Sequence, residues 1–312
     1  MTTSPSRRRV AVAPDTLPEM HAVFCEAVAR NGATVVPVAE AEALVWADPA
    51  RGDLFPSVIE ETTQPLQWIQ LPYAGVEPFV PYLFEGPTWT CGKGVYAPPV
   101  AEHALGLMLA GRRDLHRFVG ASSWGDRTGE NLLGASITIL GGGGIAESFI
   151  ELIAPFGCDV SVVRRSAAPV PGANRTVTMA RAMELFPRTD VLLIAWALTD
   201  ETAGFVDRSV LDALPDHAWV INVGRGGHIV TDDLVDAFER GTIGGAGLDV
   251  TDPEPLPDGH RLWDFRNCII TPHVGNTAEM GLPLISARVA DNTRRFCDGD
   301  ELVGTIDLDA GY

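Results

Sequence analysis

No stretch of this chain approaches the ~18 continuous apolar residues that a membrane span requires. Its longest apolar runs, Val191–Leu198 and Ala104–Ala110, suit a buried strand and a buried helix. Positive charge is scarce. Lys and Arg number 23 against 41 Asp and Glu, for a net charge of −18, so nucleic acid and anionic membranes, which need a basic face, are excluded as partners. Any anionic ligand must then be held by a local cation. Cysteine is sparse too: Cys25, Cys91, Cys158, Cys268 and Cys297 are scattered, odd in number and without metal-ligand spacing. Neither a disulfide framework nor a metal site is expected, and reduced thiols point to the cytoplasm. Arg7–Arg9 are followed only by Val10–Ala13 before Pro14, too short an apolar run for a secretory leader. Internal repeats and low-complexity tracts are missing as well.

What is present is an ordinary globular composition, 46% hydrophobic and 21% charged, over 312 residues, a length that suggests two domains. Short β-like runs alternate with helical stretches: Arg9–Ala13, a helix over Leu17–Asn31, then Thr34–Val38, Leu44–Ala47 and Leu66–Gln70. Such alternation predicts parallel α/β architecture. A long helix, apolar nearly all round and therefore buried, runs from Ala97–Pro99 to about Arg113. The alternation then restarts with Ile137–Leu140, a helix over Ile145–Pro155, Asp159–Val163, Val191–Ala197, Trp219–Val223, Gly247–Val250 and Cys268–Thr271. Several of these are β-branched runs without polar alternation, as strands covered on both faces should be. The predicted fold is α/β, with two Rossmann-like domains of doubly wound parallel sheet and the active site in the cleft between them. Residues 1–99 with 275–312 form one domain and 100–274 the other, a closing helix from about Leu282 to Cys297 returning to the first.

The run Ile137–Leu140 leads into Gly141–Gly142–Gly143–Gly144–Ile145–Ala146 and then a helix. Gly141 permits the tight turn, Gly143 admits a pyrophosphate, and the small Ala146 lets helix and strand pack closely. The first helical residues, Gly144 and Ile145, present free N–H groups and the positive dipole end to the phosphates. A strand before and a helix after are the context that makes this glycine pattern a dinucleotide signal. The next strand ends in Arg164–Arg165–Ser166, where NAD-binding versions carry an acidic residue for the ribose hydroxyl. A guanidinium can instead fork onto a 2′-phosphate and Ser166 can donate to it, so NADP(H) is expected over NAD(H), with NAD(H) still possible.

Three further segments suit a keto acid. Asn222–His228 places Arg225 just after the strand Trp219–Val223, where a ligand crevice lies in an open α/β sheet. Glu254 follows Gly247–Val250, and His273 follows Cys268–Thr271. Hydride transfer to a carbonyl needs a proton donor, which histidine supplies near neutral pH, and a buried carboxylate partner would orient its ring and raise its pKa. His273 is therefore read as acid/base, Glu254 as its partner and Arg225 as the substrate clamp. Each could be structural if taken singly; together, each after a strand of one domain, they point to chemistry. The other six histidines lack such a setting, and His228, the nearest to the site, has no evident role.

These segments resemble, in order, the D-isomer-specific 2-hydroxyacid dehydrogenases, from about Leu66 to Phe296. The resemblance implies the Arg225–Glu254–His273 triad in its firm form, places Val223 and Asp249 beside the cofactor, and has Asp249 bond the nicotinamide carboxamide. It also implies that the loop Tyr73–Ala74–Gly75–Val76 holds the substrate carboxylate through backbone N–H groups, that Tyr96–His103 is the crossing into the cofactor domain, and that the chain is a homodimer. The sequence departs from the family pattern at Ala146, Arg164, Ala197 and Val230. The activity implied is reduction of a small 2-keto acid such as glyoxylate or hydroxypyruvate, NADPH being the cofactor of reductive metabolism. Two alternatives stand beside it: an NAD-dependent phosphoglycerate dehydrogenase, which would need more cations than Lys93 and Arg51 supply in the first domain, and a dinucleotide-sensing corepressor. The pocket for the substrate side chain, to which Trp124, Trp263 or Met280 could belong, is not readable from spacing.

Overall fold

The structure, a computed structural model, describes residues 7–308. The chain divides into two units, one built from residues up to Tyr96 together with those from Thr277 onward, the other from Ala97–Asn276.

The first unit holds β1 (Arg9–Ala13), α1 (Pro18–Arg30), β2 (Thr34–Val35), β3 (Ala43–Trp46), α2 (Phe55–Glu60), β4 (Trp68–Gln70) and β5 (Thr88–Thr90). Its five strands are parallel in the order β2-β1-β3-β4-β5. Pro37 ends the second run early, so the strand expected to Val38 stops at Val35. One face of the sheet packs on α1 through Phe24 and Val28, and on the last helix through Ile285, Val289 and Phe296. The other buries Trp46, Phe55, Phe79 and Trp89 as an aromatic cluster with ring centroids 5.1–6.0 Å apart.

The second unit carries α3 (Ala97–Arg112), α4 (Leu115–Phe118), β6 (Ser136–Leu140), α5 (Gly144–Ile153), β7 (Asp159–Val163), β8 (Arg175–Val177), β9 (Val191–Ile194), α6 (Arg208–Ala213), β10 (Trp219–Asn222), α7 (Thr231–Arg240), β11 (Gly245–Leu248) and β12 (Cys268–Ile270). Its seven-stranded sheet is parallel in the order β12-β11-β10-β9-β6-β7-β8. The chain winds outward from β6 through β7 to β8 and restarts at β9 on the other side, which makes the β6/β9 junction the switch point of the topology. Successive strand residues divide between two cores. Ile137, Ile139, Leu193 and Ile221 pack under α3 and α5, while Leu140, Leu192, Ile194 and Val220 pack under α6 and α7. Coverage on both faces explains the uninterrupted apolar runs.

The closing helix α8 (Ala278–Asp298) belongs to the first unit and starts a turn earlier than expected. The start is set by Thr277, whose hydroxyl accepts from Met280 N at 3.3 Å.

Candidate active site

The glycine turn lies at the switch point. Gly141 has φ +120°, and a side chain there would come within 2.7 Å of the Ala195 carbonyl at the end of β9, so only glycine fits. Over Gly143, which precedes the first residue of α5, the space is open for 4 Å, as close approach of a pyrophosphate to the backbone requires. Ala146 is fully buried against the sheet, and Gly144 and Ile145 form the first turn of α5. These features fit a bound dinucleotide. At the end of β7, Arg164 N donates to Val177 O at 3.0 Å, and the Arg164 side chain lies over Gly142, where an added methyl would meet its Cδ at 3.0 Å and Nε at 3.3 Å. The guanidinium arm therefore reaches back across the phosphate turn. Arg165 and Ser166 follow on the surface.

Arg225 leaves the end of β10 on a loop clamped from within. Asn222, fully buried, donates from Nδ2 to Arg225 O at 2.9 Å and accepts from Gly224 N at 3.1 Å. Val223, also buried, bonds back to Ile194 O of β9. His228 Nδ1 sits 3.2 Å from Arg225 N and 2.9 Å from Arg225 O with its ring fully buried, and burial holds this imidazole below its ordinary pKa and hence neutral. The loop after β11 presses on this one so tightly that a Cβ at Gly226 would lie 1.9 Å from Thr251 O.

His273 and Glu254 come together: His273 Nδ1 is 2.7 Å from Glu254 Oε1, on loops leaving the adjacent strands β12 and β11. A carboxylate only accepts, so the proton of this bond sits on Nδ1. The pair is half exposed in the chain, with side-chain accessibilities of 51% and 42%. The carboxylate partner expected to be buried is therefore not buried by its own unit, because Glu254 rides on a bent, proline-flanked loop outside the sheet.

Asp249 lies beneath them, 3% exposed. Its Oδ1 accepts from Thr271 Oγ1 at 2.6 Å and Val274 N at 2.8 Å, and stands 3.2 Å from His103 Nε2; its Oδ2 accepts from Gly275 N at 2.8 Å. Burial alone would push this carboxyl up, but the bonds from His103, Thr271, Val274 and Gly275 outweigh it and hold the pKa at about 2. The Asp249 backbone carbonyl also accepts from His273 N at 2.8 Å, and His273 itself takes a left-handed conformation with φ +53°. Besides His273, one other histidine, His103, reaches this carboxylate. That residue projects from α3 onto a strand end 168 positions away, at Thr271, a distance no sequence spacing reveals.

Within the first unit, the Tyr73–Gly75 loop follows β4. Gly92 N donates to Tyr73 O at 2.8 Å, Tyr96 OH donates to Pro72 O at 2.7 Å, and the Tyr73 and Tyr96 rings meet edge to face at 6.1 Å. Of the three residues suggested for the pocket, Trp263 is half exposed and donates from Nε1 to Pro257 O at 3.1 Å, while Trp124 and Met280 are exposed.

A glycine turn at a switch point, with a histidine–carboxylate pair and an arginine at neighbouring strand ends, defines a nicotinamide-dinucleotide oxidoreductase of the α/β class. Comparison with known proteins agrees. The family model described as "D-isomer specific 2-hydroxyacid dehydrogenase, NAD binding domain" matches residues 105–275. An uncharacterized protein of Corynebacterium melassecola is 38% identical over 256 residues, covering 79% of this chain and 84% of that one. A glyoxylate/hydroxypyruvate reductase A of Arabidopsis thaliana is 34% identical over 221 residues, covering 68% of each. At the level of fold, the NADPH-dependent glyoxylate/hydroxypyruvate reductase of Sinorhizobium meliloti, solved with NADP and sulfate, superposes with a TM-score of 0.81 at 24% identity, over 98% of this chain and 100% of that one. The chain belongs to the D-isomer specific 2-hydroxyacid dehydrogenase family, whose members are NAD(P)-dependent oxidoreductases.

Proposed function

We propose that the protein is an NADP(H)-preferring reductase of small 2-keto acids, glyoxylate and hydroxypyruvate foremost, with His273 as acid/base, Glu254 as its partner and Arg225 as the carboxylate clamp. The observation that carries the chemistry is the 2.7 Å bond between His273 Nδ1 and Glu254 Oε1. With Nδ1 turned to the carboxylate, Nε2 is the ring atom left to face a carbonyl oxygen. When bound, the nicotinamide supplies the hydride to the carbonyl carbon. The His273 imidazolium gives its Nε2 proton to the oxygen that becomes a hydroxyl; in the reverse direction the neutral ring takes that proton back. Glu254, accepting from Nδ1, keeps the ring oriented. Arg225, on a loop held from below by Asn222 and His228, can fork onto a substrate carboxylate with charge-assisted bonds of about 1.5–3 kcal/mol each.

Preference for NADP(H) is supported by Arg164 lying across the glycine turn with Arg165 and Ser166 beside it. The keto-acid assignment draws on relatives such as the Arabidopsis glyoxylate/hydroxypyruvate reductase. A homodimer is supported by the segment after α3, which leaves Val119 and Trp124 88% and 100% exposed; light scattering reports its mass. Five free thiols suit a reducing compartment, and no helix among the described residues is long and apolar enough to cross a membrane.

The test is a panel of glyoxylate, hydroxypyruvate and pyruvate with NADPH and with NADH. NADPH should give the higher kcat/KM, and His273→Ala should abolish turnover while NADPH binding persists. Equal or better use of NADH sinks the cofactor assignment. No turnover with any 2-keto acid sinks the reductase.

A further inference from the structure

Thr271 has one hydroxyl proton, and it is committed to Asp249 Oδ1 at 2.6 Å. The 2.9 Å contact between Thr271 Oγ1 and His103 Nε2 must therefore be a bond donated by the imidazole, since the hydroxyl has only acceptor capacity left. Asp249 Oδ1, 3.2 Å from the same nitrogen, can only accept from it. Both partners thus place a proton on Nε2 and give the contact a direction: from His103 to Thr271, and from Thr271 to Asp249. The same carboxylate collects the Val274 and Gly275 amides, and the same residue's carbonyl collects the His273 amide. Every residue from Thr271 to Gly275 that has an N–H or hydroxyl to give to Asp249 gives it. The turn so gathered includes His273 in its left-handed conformation, which a residue with a Cβ enters only when its surroundings impose it. The contribution from outside the two strand-end loops is His103, from the second turn of α3.

We propose that His103 is a positioning residue for His273: its Nε2–H locks Thr271 and the Asp249 carboxylate and so fixes the turn that presents the acid/base ring. The proposal rests on the reading of His273 as acid/base. His103 touches neither substrate nor reacting atoms in this role. It sets the angle at which the His273 ring is presented, and so acts on the chemical step rather than on binding.

The test follows NADPH oxidation with glyoxylate by the full chain. His103→Leu should lower kcat about 10–100-fold while KM for glyoxylate stays within about twofold, as expected when orientation of the acid/base is lost. His103→Gln, which offers an amide N–H where Nε2 stood, should recover kcat to within about threefold of the wild type. Thr271→Val breaks the same chain without touching the helix and should show the same fall. The double variant His103→Leu/Thr271→Val should be slower than either single variant by less than the product of their separate effects, because both residues act on the Asp249 carboxylate. Unchanged kcat in both single variants, with His273→Ala inactive, overturns the proposal and leaves the acid/base reading standing. A loss in His103→Gln as deep as in His103→Leu also overturns it, since ring bulk and not the N–H would then be at work. Full activity in His273→Ala removes both.

Discussion

Replacing Asp249 with asparagine removes the charge on which the His273 turn is gathered while keeping the shape of the side chain. Two routes lead to the expected loss. The carboxyl lies at about 2 in the fold against an ordinary 3.8, and that displacement corresponds to about 2.5 kcal/mol favouring the folded state at neutral pH. Asparagine also turns one acceptor into a donor. Its NH2 must face either Gly275 N–H or the Thr271 and Val274 donors, so at least one buried donor is left unpaired, at about 1–3 kcal/mol. The routes overlap, and together they place the loss at about 2.5–4 kcal/mol, or about 5–15 °C in the melting temperature of the Ala97–Asn276 unit. The sign with pH follows from the direction of the shift. A carboxylate with a depressed folded pKa contributes stability that is present above 3.8 and drains away as pH falls toward about 2. The gap between wild type and Asp249→Asn should therefore hold steady from pH 7 to 5 and narrow only below 4. Urea unfolding across that range measures it, and hydrogen exchange should show the Val274 and Gly275 amides losing protection. A melting temperature within about 2 °C of wild type, with both amides still protected, would refute the reasoning.

Other consequences can be checked as directly. His228 is buried and neutral, its pKa held below 6.5, so its contribution is present above about pH 6.5 and lost as pH falls below it; urea midpoints at pH 7.5 and 5.5 should differ more for wild type than for His228→Asn. Gly226→Ala drives a methyl onto the Thr251 carbonyl and must part the two loops, so steady-state kinetics should show kcat/KM down by about 10²-fold. Asn292→Ala leaves the Val303 N–H without its acceptor, at about 1–3 kcal/mol, and takes one of two donors from Gln70 Oε1 and from the Val303 carbonyl; differential scanning calorimetry should register the drop in the first unit's transition.

The sheet of the second unit was readable because strands covered on both faces cannot carry polar residues, and Ile137–Leu140 and Trp219–Val223 show that plainly. The segments holding Gly141, Arg225, Glu254 and His273 could be picked out for a related reason: in a parallel sheet all carboxyl ends point one way, so residues following different strands converge. Short elements escaped. Helix α7, with Leu234, Val235 and Phe238 inward and acids outward, is a single amphipathic face between two strands, and β8 and β5 are three residues each, with too little periodicity to register. His103 was invisible for a deeper reason. In an apolar helix a lone histidine reads as packing, and only the third dimension places it against Thr271. The exposure of Glu254 was equally hidden, because sequence shows that a carboxylate follows a strand and not how far it stands from the sheet.

The anchored turn at His273 bears on the thermodynamics of ligand capture. The left-handed residue is held by Asp249, whose four donors all come from the protein. The entropy of ordering this loop is lost once, during folding, and is not charged again to each substrate that arrives. Affinity for a small acid with few atoms to offer can then rest on contacts alone.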